Sequence, residues 1–128
     1  MIRVLFIFLL VSLSNSQKDE KLYFGRSYNH STVYSYSVTE IYISSDSIMT
    51  RLNYKLPHKK EWRNYKNYTA EKKVSKISKK GKFYSLIDPE SGDENARHCL
   101  KINDDKLTYY YIESKDSFIK GYTFRRKK

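Results

Sequence analysis

The sequence predicts an all-β domain, an antiparallel up-and-down meander of eight strands that closes into a barrel or half-barrel. Three observations carry that expectation. Aromatic and β-branched runs alternate with short polar turns, and 13 tyrosines and 6 phenylalanines against 2 prolines suit a pleated, half-buried surface. Between Ile48 and Leu56 the residues alternate: Ile48, Thr50, Leu52, Tyr54 and Leu56 share one face, and Met49, Arg51, Asn53 and Lys55 share the other. That is the period of a strand with one wet face. Finally, Ile41–Ile48, Ile77–Phe83 and Leu100–Leu107 repeat one pattern, an apolar strand end, a polar turn and an apolar restart. The uneven spacing of the repeats fits successive hairpins and not a solenoid.

Taken in order, residues 1–16 read as an export signal and not as part of the domain. Arg3 gives a positive start, Val4 to Val11 (VLFIFLLV) an unbroken apolar core, and Ser14-Asn15-Ser16 the small residues a signal peptidase reads, with cleavage between Ser16 and Gln17. The apolar run is too short for a bilayer core of about 30 Å. The expectation is a secreted or periplasmic protein with no transmembrane segment after cleavage and one domain over residues 17–128.

Eight strands are expected near residues 21–28, 33–43, 47–56, 69–78, 82–88, 96–103, 106–113 and 117–125. Asn, Asp and Gly in the intervening turns tolerate left-handed backbone or bond their own main chain. Two connections are longer. Pro57 to Asn67 (PHKKEWRNYKN) predicts a short helix with Trp62 and Tyr65, at i and i+3, facing the sheet. Asp88 to Asn95 (DPESGDEN) has almost no apolar content and predicts an exposed loop. Closure of the meander hides its edge strands.

Charge narrows the class of partner. The chain carries 25 basic and 14 acidic residues, and loss of residues 1–16 removes only Arg3, leaving +10. Such a balance favours an anionic neighbour, and export turns that neighbour from nucleic acid toward the cell envelope. The lone cysteine, Cys99, forms no internal disulfide and reads as a small buried hydrophobe, with His98 on the opposite face.

The hairpin Leu100 to Tyr111 (LKINDDKLTYYY), the closing strand Tyr122 to Arg126 (YTFRR), the Ser-Asn-Ser-Gln cleavage site and the Lys-, Ile-, Tyr- and Asn-rich composition carry a resemblance. The chain resembles the small lipocalin-like domains exported by bacteria of the Bacteroidetes type. That resemblance implies the barrel fold and transfers no functional residue.

No catalytic constellation is legible. His30, His58 and His98 lie far apart and match no metal-ligand spacing, no serine sits in a Gly-x-Ser-x-Gly elbow, and no cofactor motif is present. The carboxylates of Asp88 to Glu94 lack the ligand ladder of an EF-hand and read as a solvated loop. The expected function is therefore non-catalytic: a monomer holding a small apolar or amphipathic ligand in the barrel mouth. Its candidate liners are Tyr34, Tyr36, Tyr54, Tyr109, Tyr111 and Phe124. The rival is an envelope interaction protein whose basic face binds an anionic glycan, a lipid surface or a protein partner. That face would use Lys59, Lys60, Trp62, Arg63, Lys66, Arg125 and Arg126.

Overall fold

Eight antiparallel strands, each paired with the next in sequence, form one sheet whose first and last members also pair, so the sheet closes into a barrel. The strands are β1 (Lys21–Asn29), β2 (Ser35–Ile43), β3 (Ile48–Leu56), β4 (Ala70–Lys80), β5 (Phe83–Ile87), β6 (Glu94–Ile102), β7 (Lys106–Ser114) and β8 (Ser117–Lys127). This computed structural model describes residues 20–29 and 35–128. The export signal expected over residues 1–16, and the candidate liner Tyr34, lie outside the described residues. Among the described residues no helix is long and apolar enough to cross a membrane.

The predicted meander is the observed one, with strand ends close to those expected. The β2–β3 turn closes with Ser47 N–H donating to Ser44 O at 3.1 Å, and the β6–β7 turn with the Asn103 side chain accepting from Asp105 and Lys106 N–H at 3.0 and 2.8 Å. Gly81, with φ +64°, supplies the left-handed turn between β4 and β5. The segment Asp88 to Asn95 departs from the reading as loop throughout. Its end belongs to β6, because the β5–β6 register jumps from Ser85 opposite Cys99 to Ile87 opposite Glu94. Asn95 Oδ1 stitches that bulge, accepting from Arg97 and His98 N–H at 2.9 and 3.0 Å.

The alternation of β3 is also as expected, but the faces are reversed relative to a dry interior. Met49, Arg51, Asn53 and Lys55 share the barrel interior with Ile43, Ile41, Thr39 and Ser37, their partners on β2. The face bearing Leu52, Tyr54 and Leu56 points outward. It is not left wet, because a 3-10 helix (Lys59–Asn67) returns over it, and Tyr65 of that helix packs with Val38 and Leu56, flanked by Phe24, Tyr36, Tyr54, Trp62 and Tyr68. Pro57 lies between β3 and this helix, where its missing N–H cannot continue a ladder. The helix bends at Asn64 (φ −110°, ψ 26°), and Trp62 and Tyr65 on either side of the bend both pack on the sheet.

The molecule therefore has two apolar clusters on opposite sides of one sheet. The inner one joins Tyr23, Ile41, Met49, Ile77, Leu86, Leu100, Leu107 and Phe124. It fills the end of the barrel where β1 meets β8, and there the Tyr23 hydroxyl donates to Asn103 O at 3.0 Å. β1 pairs with β8 only over Leu22–Phe24 and Arg125–Lys127. Gly25, the next residue of β1, lies against the Phe124 ring, where a Cβ would come within 2.5 Å of Cδ1. The closing seam thus needs a residue without a side chain.

Candidate functional site

Beyond the plug of apolar side chains the inner wall turns polar. Ser27 and Ser37 hydroxyls meet at 2.7 Å, Thr39 Oγ1 donates to Asn53 Oδ1 at 3.0 Å, and Lys55 pairs with Glu71 at 3.2 Å. On the far side of the same end, β6 to β8 present His98, Tyr109, Tyr111 and Tyr122. Between β3–β4 and β6–β8 lies an open cavity of about 460 Å³, floored by Met49, Leu86 and Phe124 and also lined by Arg51, Lys73 and Ser75. A smaller recess of about 320 Å³ lies at the opposite end against Ile43, Ile77, Tyr84 and Ile102, with Lys21 its single charged residue.

The cavity's chemistry is set by strand pairing. Arg51 of β3 stands directly opposite Lys73 of β4, so both cations project from adjacent positions on one wall. The Arg51 guanidinium lies over the Tyr109 ring at 5.1 Å from its centroid. Burial pushes the Tyr109 phenol above its ordinary range, and the Arg51 guanidinium, which hydrogen-bonds it, pulls in the other direction. His98 packs against Tyr111 with ring centroids 4.8 Å apart. Three carboxylates, Asp88, Asp93 and Glu94, stand on the rim. Glu94 is held by Lys80 at 2.7 Å, and Asp88 Oδ1 accepts from the backbone of Glu90 at 2.9 Å within its own loop.

The predicted liners divide between two compartments. Tyr109, Tyr111 and Phe124 line the cavity. Tyr36 and Tyr54 do not: they face outward beneath the 3-10 helix, Tyr36 edge-on to Trp62 at 6.1 Å and Tyr54 edge-on to Tyr65 at 5.1 Å. They sit outside because the reversed faces of β2 and β3 give the interior to their polar neighbours. The cavity also takes in Arg51, Lys73 and His98, which the sequence alone does not single out, since an Arg or Lys on an alternating strand reads as solvent-facing. The signal that could have found them is the amphipathic segment after Pro57. Trp62 and Tyr65 need an apolar outer surface to rest on, and Tyr54 and Leu56 of β3 with Val38 and Tyr36 of β2 supply it.

The basic candidates divide as well. Lys59, Lys60, Arg63 and Lys66 stand exposed on the 3-10 helix, and Arg125 is exposed on the outer face of β8. Trp62 turns inward, with the Arg26 guanidinium 4.6 Å from its ring centroid and Tyr28 and Tyr36 beside it. Arg126 turns toward the barrel interior, over the Tyr23 ring at 5.9 Å. These two residues belong to packing and not to an outer basic face, because alternation and helix periodicity point them at the sheet.

The outer cluster contains one buried acid. Glu40 on β2 is 2% exposed and accepts from the Tyr65 hydroxyl at 2.9 Å and the Tyr54 hydroxyl at 3.2 Å. Burial first, and the adjacent carboxylate second, hold the Tyr42 and Tyr54 phenols above their usual range, and the same influences act more strongly on Tyr65. The hydrogen bonds of Glu40 to Tyr65 of the helix and Tyr54 of β3 fasten the helix to the barrel. Fold and cavity together define an eight-stranded barrel with one filled end and one wide, polar-walled mouth. Comparison with protein-family models, with curated proteins and with solved structures finds no match.

Proposed function

We propose that this chain is an exported, lipocalin-like, non-catalytic binding protein that holds a small amphipathic ligand in the wide mouth of its barrel. The observation that carries this reading is the cavity itself. Its volume of about 460 Å³ falls within the range of roughly 300–1,000 Å³ typical of small-molecule sites. Its lining joins an apolar floor of Met49, Leu86 and Phe124 to aromatic and cationic walls, an arrangement suited to a molecule with an apolar body and a polar end.

N-phenyl-1-naphthylamine, an uncharged dye that brightens in apolar surroundings, tests the reading on the purified protein. Saturable binding is expected, with affinity nearly unchanged between low salt and about 0.5 M salt, because no charge pairing is screened. Tyr111→Ala, at the exposed wall of the cavity, is expected to weaken it. Absence of saturable binding contradicts the reading. Salt-sensitive binding of a sulfated polysaccharide without dye uptake favours the rival use of Lys59, Lys60, Arg63 and Lys66 on the helix.

A further inference from the structure

Placing a cation directly opposite another cation on neighbouring strands costs stability, since like charges in that position repel. Arg51 and Lys73 are such a pair, and both line the cavity, Arg51 partly buried and Lys73 exposed at its mouth. The ion pairs among the described residues are Lys21–Asp104, Lys55–Glu71 and Lys80–Glu94, and neither Arg51 nor Lys73 takes part in one. A contrast lies farther along the same two strands, on the diagonal between Lys55 and Glu71. Glu71 on β4 and Lys55 on β3 are both inward-facing, and there the charges are opposite and joined at 3.2 Å. The chain thus neutralises one inward lysine and leaves two cations side by side above an apolar floor. Of the three rim carboxylates, Glu94 is engaged by Lys80, Asp88 accepts from its own loop, and Asp93 forms no ion pair with Arg51 or Lys73 among the described residues.

Resting on the cavity reading above, we infer that the ligand is an anionic amphiphile. A carboxylate, sulfonate or phosphate head binds between the Arg51 guanidinium and the Lys73 ammonium, and its apolar body lies against Phe124, Met49 and Leu86. Arg51 supplies a planar fork that matches an oxyanion. Its stacking on Tyr109 at 5.1 Å holds the fork in place before the ligand arrives. Lys73 adds a second, more mobile donor. The smaller recess at the other end of the barrel, with Lys21 as its one charged residue, has no such doublet.

The test first uses the unmodified protein loaded with N-phenyl-1-naphthylamine, displaced in turn by decanoate, decanol and decyltrimethylammonium, which share a chain and differ in head group. Decanoate is expected to displace the dye at about tenfold lower concentration than decanol, as a pair of charge-assisted hydrogen bonds implies, and the cationic analogue is expected to be weakest. In an R51M/K73M variant decanoate and decanol should displace the dye at concentrations within about twofold of each other, the preference being read as a ratio within that one protein. A K59M/K60M variant removes the same charge from the outer helix and should keep the preference. Dye binding with no preference for decanoate overturns the inference and leaves the cavity reading standing. Equal loss in K59M/K60M also overturns it, since the attraction would then be diffuse surface charge. No dye binding by any form overturns both.

Discussion

At the scale of the residue, two positions show how little freedom the fold leaves. Glu40 is a carboxylate buried under the helix, with tyrosine hydroxyls in place of a cation. Removing the shortest of those bonds with Tyr65→Phe leaves the acid buried and poorly satisfied, and a cost of about 1.5–3 kcal/mol in urea unfolding at neutral pH is expected. A loss below about 0.5 kcal/mol would mean that water reaches Glu40. Gly25 is the second such position, because a methyl group there meets the buried Phe124 ring. Gly25→Ala should cost about 1–3 kcal/mol by overpacking the seam. Phe124→Leu in the same chain should return part of that loss, giving a coupling of about 0.5 kcal/mol or more in a double-mutant cycle. Strict additivity would show that Gly25 is needed for backbone freedom and not for the close approach.

At the scale of the element, much of the structure was legible in the sequence and its sidedness was not. Turn chemistry and alternation located every strand to within a few residues, and the aromatic pair after Pro57 marked the helix. Alternation, however, is symmetric: it divides β3 into two faces without saying which one is the lumen. In an ordinary barrel the apolar face goes inside, and here the helix covers it from outside, so the candidate liners Tyr36 and Tyr54 were assigned to the wrong side. Tyr109, Tyr111 and Phe124 lie on β7 and β8, whose outer faces no helix covers, and their inward placement follows the usual rule. The helix itself should detach in alkali. Burial holds the Tyr42, Tyr54 and Tyr65 phenols around Glu40 above their ordinary value, so the unfolded chain releases those protons first. Stability is then intact below about pH 10 and falls as pH rises beyond it. Trp62, the only tryptophan, packs under this helix and reports on it. Its emission should shift to the red between about pH 10 and 11.5, whereas Tyr65→Phe should make the fall in stability shallower. Stability unchanged across that range would remove the tyrosine–carboxylate cluster from the account.

For the whole molecule, closure of the sheet takes the place of a covalent staple. Cys99 is free and 4% exposed, and burial pushes its thiol up, so it should resist Ellman's reagent until the barrel is unfolded in denaturant. Thermal unfolding should be indifferent to reductant. Rapid labelling of the native protein would place the β6 region among the parts that open readily. The asymmetry of the barrel has the larger functional consequence. One end is sealed by Tyr23, Leu100, Leu107 and Phe124, and the other keeps charged side chains turned inward around a cavity. Two cations opposite each other at that mouth repel, and an anionic ligand is the occupant that would offset the repulsion. The most direct test is an amide NMR titration of the protein with decanoate. Saturating shifts should map to Arg51, Lys73, His98, Tyr109 and Phe124, with the amides of Lys59 to Lys66 on the helix unmoved. Shifts confined to that helix, or none at saturating decanoate, would contradict ligand binding in the barrel mouth.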